Sequence, residues 1–154
     1  MKLDEVIKSD KVDFSEIPSE YFLIGLLSAF ENRFQTDADN VMKEISWKQF
    51  FAIICISFCK EAPTINDLSE ILGSSHQNVK QILLKLEKKG FIKFEEDKQD
   101  KRKQRIVVTK DCQKFCDKNN ETSSKIMQKM FEGIPEKDIK TTIKTIIKMD
   151  DNLK

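Results

Sequence analysis

The chain has 154 residues, 39% hydrophobic and 34% charged, with a formal net charge of +1. This length suits one domain with its own core and is too short for two independent enzyme domains, while the composition argues against disorder and membrane residence. No run reaches the roughly 18 apolar residues that span a bilayer, and Met1-Lys2-Leu3-Asp4-Glu5 lacks the charged and apolar regions of a signal peptide, so a cytoplasmic location with no membrane partner is expected.

Four cysteines are too few for a disulfide framework and are expected to be thiols. Four glycines leave no Gly-rich phosphate loop, and a single His leaves no His-based metal cluster or Ser-His-Asp set. Catalysis, a cofactor and a His-based metal site are therefore not expected. The near-neutral total hides segregation: His76–Lys110 carries 11 basic and 5 acidic residues, net +6, leaving −5 for the remainder. A basic middle between acidic ends suits a nucleic-acid reader joined to parts that should not adhere to nucleic acid.

Pro18-Ser19 precedes Tyr21, Phe22, Ile24, Leu26, Leu27 and Phe30, whose spacings of 3 and 4 predict a first helix to about Gln35, followed by a polar stretch from Thr36 to Asn40. Ser46 with Gln49 forms a capping-box pattern for a second helix carrying Phe50, Phe51, Ile54, Cys55 and Phe58 to about Cys59, with Trp47 packing at its start. Pro63 is expected to stop it. Thr64 and Asp67 then cap a short helix with Leu68, Ile71 and Leu72, which Gly73 ends. Ser75 caps a fourth helix with Val79, Ile82, Leu83 and Leu86, which Gly90 terminates.

After Gly90 the period changes. Phe91-Ile92-Lys93-Phe94 and Arg105-Ile106-Val107-Val108 predict two strands around a charged tip from Glu95 to Gln104. Thr109 caps a fifth helix to about Phe131, and Ile134-Pro135-Glu136 opens a last one with Ile139, Ile143, Ile146, Ile147 and Leu153 on one stripe. The predicted fold class is mainly α with a small β-wing, a winged helix-turn-helix plus a helical dimerisation region.

A short capped helix, a tight turn, a second capped helix and a ribbon with a basic loop suit major-groove reading by the second helix. Its exposed first turns would present Ser75, His76, Gln77, Asn78, Lys80 and Gln81. Gln and Asn can pair with adenine in bidentate fashion and Lys can donate to guanine, each good pair giving about 1–3 kcal/mol of discrimination. Lys85, Lys101, Arg102 and Lys103 are the candidates for wing and phosphate-backbone contacts.

From Thr64 to Thr109, the segments Leu68-Ser69-Glu70-Ile71-Leu72-Gly73, Val79, Leu86-Glu87-Lys88-Lys89-Gly90-Phe91-Ile92 and Asp97-Lys98-Gln99-Asp100-Lys101-Arg102 resemble the MarR family without gaps. The family's wing motif, Asp-x-Arg-Asp-x-Arg, is matched at Asp97, Asp100 and Arg102. It is departed from at Gln99, which removes one cation, and Cys112 stands where the family often has Gly. The resemblance implies a single domain, 1–154, with the reader at 46–109 and a helical dimerisation region at 12–45 and 110–154. It implies that Arg102 reaches the minor groove and Asp100 orients the wing. It also implies a homodimer on a pseudo-palindromic duplex operator, regulating transcription (as a repressor in the main reading) and released by a small aromatic ligand.

Plainer readings stand beside these. The terminal isoleucine stripe suits core as well as a dimer contact, and Phe22, Phe30, Phe50, Phe51 and Phe58 suit core better than a ligand pocket. Cys55 and Cys59, like Cys112 and Cys116, lie four apart on predicted helices; core packing leads, with oxidant sensing or zinc binding by the four thiolates as alternatives. The rival functions are a winged-helix interaction module without DNA binding and a thiol-based sensor using the same DNA reader.

Overall fold

The computed structural model describes Phe14 and residues 16–154, so the N-terminal pentapeptide and positions 12, 13 and 15 of the expected dimerisation segment lie outside the described residues. The element order is α1 (Ser19–Met42), α2 (Trp47–Phe58), α3 (Ile65–Ile71), α4 (His76–Lys88), β1 (Ile92–Glu96), β2 (Gln104–Val108), α5 (Lys110–Met130) and α6 (Glu136–Asp151). Four helices, a hairpin and two helices reproduce the expected order. By compactness the chain falls into two units, Met1–Cys112 and Gln113–Lys154, with the boundary inside α5.

In the first unit, local chemistry sets most boundaries. Ser46 Oγ accepts from the Gln49 amide at 3.3 Å while Gln49 Oε1 accepts from the Ser46 amide at 3.1 Å, the reciprocal box that opens α2. Thr64 and Asp67 make the same exchange at α3, and Ser75 accepts from the Asn78 amide at α4. Gly73 and Gly90 follow α3 and α4 at φ +56° and +74°, a left-handed conformation that costs Gly nothing and other residues strain. The strands pair antiparallel with Phe94 opposite Ile106, and the Ile106 amide also donates to the Pro63 carbonyl at 2.9 Å. That bond fastens the ribbon to the segment before α3.

The apolar stripes of these elements meet in one core: Ile53 from α2, Leu68 from α3, Val79, Leu83 and Leu86 from α4, Ile92 from β1 and Ile106 from β2 are essentially inaccessible. Each such aliphatic burial contributes about 1.5–3 kcal/mol relative to exposure. The core therefore fixes which face of α4 turns outward.

Several expectations need correction. α1 continues through Thr36–Asn40 to Met42, because that stretch is polar but holds no Gly or Pro to break the backbone ladder, and it buries Ala38. Asp39 then accepts from the Trp47 amide at 2.5 Å, so a residue expected in a linker helps to cap α2. α2 ends at Phe58 with Cys59 already extended, ahead of Pro63. Glu95, Glu96 and Gln104 belong to the strands, shortening the wing loop to residues 97–103. Trp47 packs near Phe34, Phe50 and Phe51 as expected. Core packing accounts for half-buried Phe22 and Phe50, whereas Phe30, Phe51 and Phe58 are exposed, Phe58 at 85%.

The second unit holds the rest of α5 and α6. Pro135 precedes the first turn of α6, where Glu136 and Asp138 complement the helix dipole. No residue of α6 is buried: Ile143, Ile146 and Ile147 are 41–55% exposed, and Leu153 lies beyond the helix rather than on its stripe.

Candidate nucleic-acid interface

Because Val79, Leu83 and Leu86 face the core, the 100° step of a helix turns Gln77, Gln81, Leu84 and Lys88 directly outward. His76 and Lys80 lie on one flank of this face, and Asn78 and Lys85 on the other. Ser75, His76, Gln77, Asn78, Lys80, Gln81 and Lys85 are all exposed. They do not form one group, however. Ser75 is engaged as the N-cap, and Asn78 Nδ2 donates to Ser74 Oγ at 2.7 Å, holding its head against its own turn. Lys88, on the outward face, was not among the expected contacts, although its position eleven residues after Gln77 places it there.

The wing is ordered by carboxylates. Asp97 Oδ1 accepts from the amides of Gln99 and Asp100, each at 2.8 Å, and Asp97 Oδ2 pairs with Arg105 Nε. The Asp97 amide in turn donates to the Lys103 carbonyl at 3.0 Å, closing the loop. The Asp100 amide, then Arg105, then the Gln99 amide hold the Asp97 carboxyl at about 2, well below its ordinary 3.8. Asp100 takes Arg102 through Nε to Oδ1 at 3.1 Å and Nη2 to Oδ2 at 3.3 Å, which lowers the Asp100 pKa. The Arg102 side chain remains 90% exposed, and Lys101 and Lys103 are exposed beside it. With Lys98, which is also exposed, this loop displays four cations on a framework held by two carboxylates.

The lowered Asp97 pKa has a defined sign. A carboxylate stabilised in the folded chain contributes stability that is fully present above its unfolded value near 4 and is lost as pH falls toward about 2. Asp97→Asn should therefore be less stable than the native chain at pH 7, and the difference should shrink between pH 4 and pH 2.5 in urea unfolding. A difference that stays constant over that interval would remove Asp97 as the source.

Arg105 and Asp67 were missed from the sequence as site residues. Arg105 reads as one residue of a β-branched strand, yet a half-buried guanidinium needs partners, and it finds Asp97, the Ala62 carbonyl at 3.0 Å and Asp67 at 4.0 Å. Asp67 is depressed chiefly by the Thr64 amide and hydroxyl, with Arg105 adding to the effect.

The four cysteines are thiols, Cys112 buried and Cys55, Cys59 and Cys116 half-buried. Burial, with a smaller push from Cys59, raises the Cys55 pKa and so disfavours its thiolate. Among the described residues no three His, Cys, Asp or Glu side chains are placed to hold a metal ion, and no helix is long and apolar enough to cross a membrane. A cleft of about 310 Å³ lies between α1, α2 and the α3–α4 turn, lined by Glu31, Gln35, Trp47, Phe51, Gly73 and Asn78 among others.

The sequence model of the MarR family matches residues 45–103. No curated protein matches the chain in sequence. Among solved structures, a MarR/EmrR family transcriptional regulator from Acinetobacter sp. ADP1 superposes with a TM-score of 0.77 at 17% identity, covering 89% of this chain and 98% of its own. MepR of S. aureus, solved as a DNA complex, gives 0.75 at 19% identity over 89% and 100% of the two chains. The transcriptional regulator BldR from Sulfolobus solfataricus gives 0.75 at 15% identity over 87% and 98%. The chain thus carries a MarR-family sequence segment, residues 45–103, within a winged helix-turn-helix fold that it shares along most of its length with MarR-family regulators.

Proposed function

We propose that this protein is a sequence-specific duplex DNA-binding transcriptional regulator, acting as a homodimer and most simply as a repressor that occupies its operator. The observation that carries this reading is the outward face of α4, polar and basic apart from Leu84, beside a hairpin loop that displays Lys101, Arg102 and Lys103. Residues 46–109 are the reader and residues 12–45 and 110–154 the dimerisation region. A major groove admits one helix, so in this reading Gln77, Lys80 and Gln81 read base edges while Arg102 and its neighbours meet the minor groove and phosphates. MepR, with the same fold, was solved bound to DNA.

Two reading heads related by a twofold axis would select half-sites about one helical turn apart, roughly 10 base pairs between centres. Selection from a random duplex pool should recover a site with that inverted symmetry, whereas recovery of unpatterned sequences would contradict specific reading. The cleft beside Trp47 supports release by a small aromatic ligand, since it joins an aromatic wall to the turn that carries the reading helix. The chain has one Trp. A compound that empties the selected site through this cleft must therefore also perturb Trp47 fluorescence.

A further inference from the structure

The reading of the wing as a DNA contact leaves open what sets its angle to the reading helix. A two-stranded ribbon is marginal by itself, and a flexible wing would pay ordering entropy each time it met DNA. The strand residue Arg105 bears on this. Its Nε pairs with Asp97 Oδ2, while the other oxygen of Asp97 receives the Gln99 and Asp100 amides of the wing loop. Its Nη1 donates to the Ala62 carbonyl at 3.0 Å and lies 4.0 Å from Asp67 Oδ2. The same Asp67 oxygen accepts from the Thr64 amide at 2.7 Å and the Thr64 hydroxyl at 2.9 Å, the cap of the first helix of the helix-turn-helix. One planar guanidinium thus joins the wing loop, the α2–α3 connection and the start of α3. Arg102, by contrast, has its partner inside the loop and stands almost wholly in solvent.

Resting on the DNA-binding reading above, we propose that Arg105 is the positioning residue of the wing: it fixes the Arg102 loop relative to the reading helix without itself touching DNA. Three properties of the side chain matter for this role. Its fork reaches an oxygen on the wing and another on the α2–α3 connection at once, which a single ammonium cannot do with the same geometry. Its charge is already committed to Asp97 and Asp67 and is half-covered, so little of it remains to offer a phosphate. Its effect on affinity must therefore pass through the wing loop that carries Arg102.

The test is a double-variant cycle on the full chain, reading affinity for duplex DNA against salt. Arg105→Lys keeps the charge, and thermal unfolding of the free chain checks that it folds; Arg105→Gln, which keeps a donor for Asp97, serves if it does not. The expected result is about tenfold weaker binding for Arg105→Lys, from the lost fork contacts, with a salt slope shallower by about one phosphate contact, as for Arg102→Ala. When Arg102→Ala is already present, adding Arg105→Lys should change affinity by less than about twofold. Equal losses with and without Arg102, or unchanged affinity of Arg105→Lys, overturn the assignment while leaving the DNA reading standing. If the native chain shows no salt-dependent binding, the DNA reading fails and the assignment fails with it.

Discussion

Replacing Leu83 by alanine lowers the stability of the chain by about 2–5 kcal/mol. Leu83 is wholly inaccessible at the middle of the buried face of α4, so truncation removes transfer free energy and leaves a cavity that its core neighbours cannot fill. Against a typical total of about 5–15 kcal/mol, the loss is a large fraction of the whole. The adjacent Leu84 is 41% exposed on the opposite face, and Leu84→Ala should move stability by no more than about 0.5 kcal/mol. Urea unfolding of the two variants measures the contrast directly. A larger loss at Leu84 would mean that α4 is rotated from the orientation that turns Gln77 and Gln81 outward.

Ile146→Asp is expected to have the largest effect on DNA binding among residues outside the reader segment 46–109. Ile143, Ile146 and Ile147 expose one apolar stripe on a helix that buries nothing, and apolar surface of this kind marks an interaction site. If that stripe is a dimer contact, a buried carboxylate facing its twofold mate is costly, and the variant should sediment as a monomer. Two tethered heads exceed the affinity of one by about 10²–10⁴ without any new contact, so binding to a symmetric operator should weaken by a comparable factor. A native chain that is already monomeric at micromolar concentration would contradict the dimer, and a dimeric Ile146→Asp would move its contact elsewhere.

Much of the reading head was legible because its boundaries are local. Ser46 with Gln49, Thr64 with Asp67, and Ser75 act over three residues, and Gly73 and Gly90 mark positions where positive φ is needed, so the sequence pattern and the backbone agree. The failures share a different cause. The extension of α1 to Met42 depends on burying Ala38 and on Asp39 reaching the Trp47 amide eight residues on, neither of which a polar run announces. Arg105 looked like an ordinary strand residue because its partners at Ala62 and Asp67 are distant in sequence. The base-reading candidates Ser75, His76, Gln77, Asn78, Lys80 and Gln81 lie close together in sequence. Burial of Val79, Leu83 and Leu86 divides them between an outward face and two flanks, and adds Lys88 to that face. The phenylalanines follow the same logic: periodicity marks them as apolar, but Phe51 and Phe58 lie on exposed parts of α2, a distinction that only the packed neighbours make.

The central claim is that the exposed face of α4 and the wing meet duplex DNA, and its most direct test is affinity for random duplex DNA as a function of ionic strength. Neutralised phosphates release counterions, so log affinity should fall linearly with log salt, with a slope of about −0.9 for each phosphate contact. The account predicts a steep slope for the native chain, and a slope shallower by about one contact for Arg102→Ala. A native chain that shows no salt-dependent binding even at low ionic strength would contradict it, and the winged helix would then be read as a protein-interaction module.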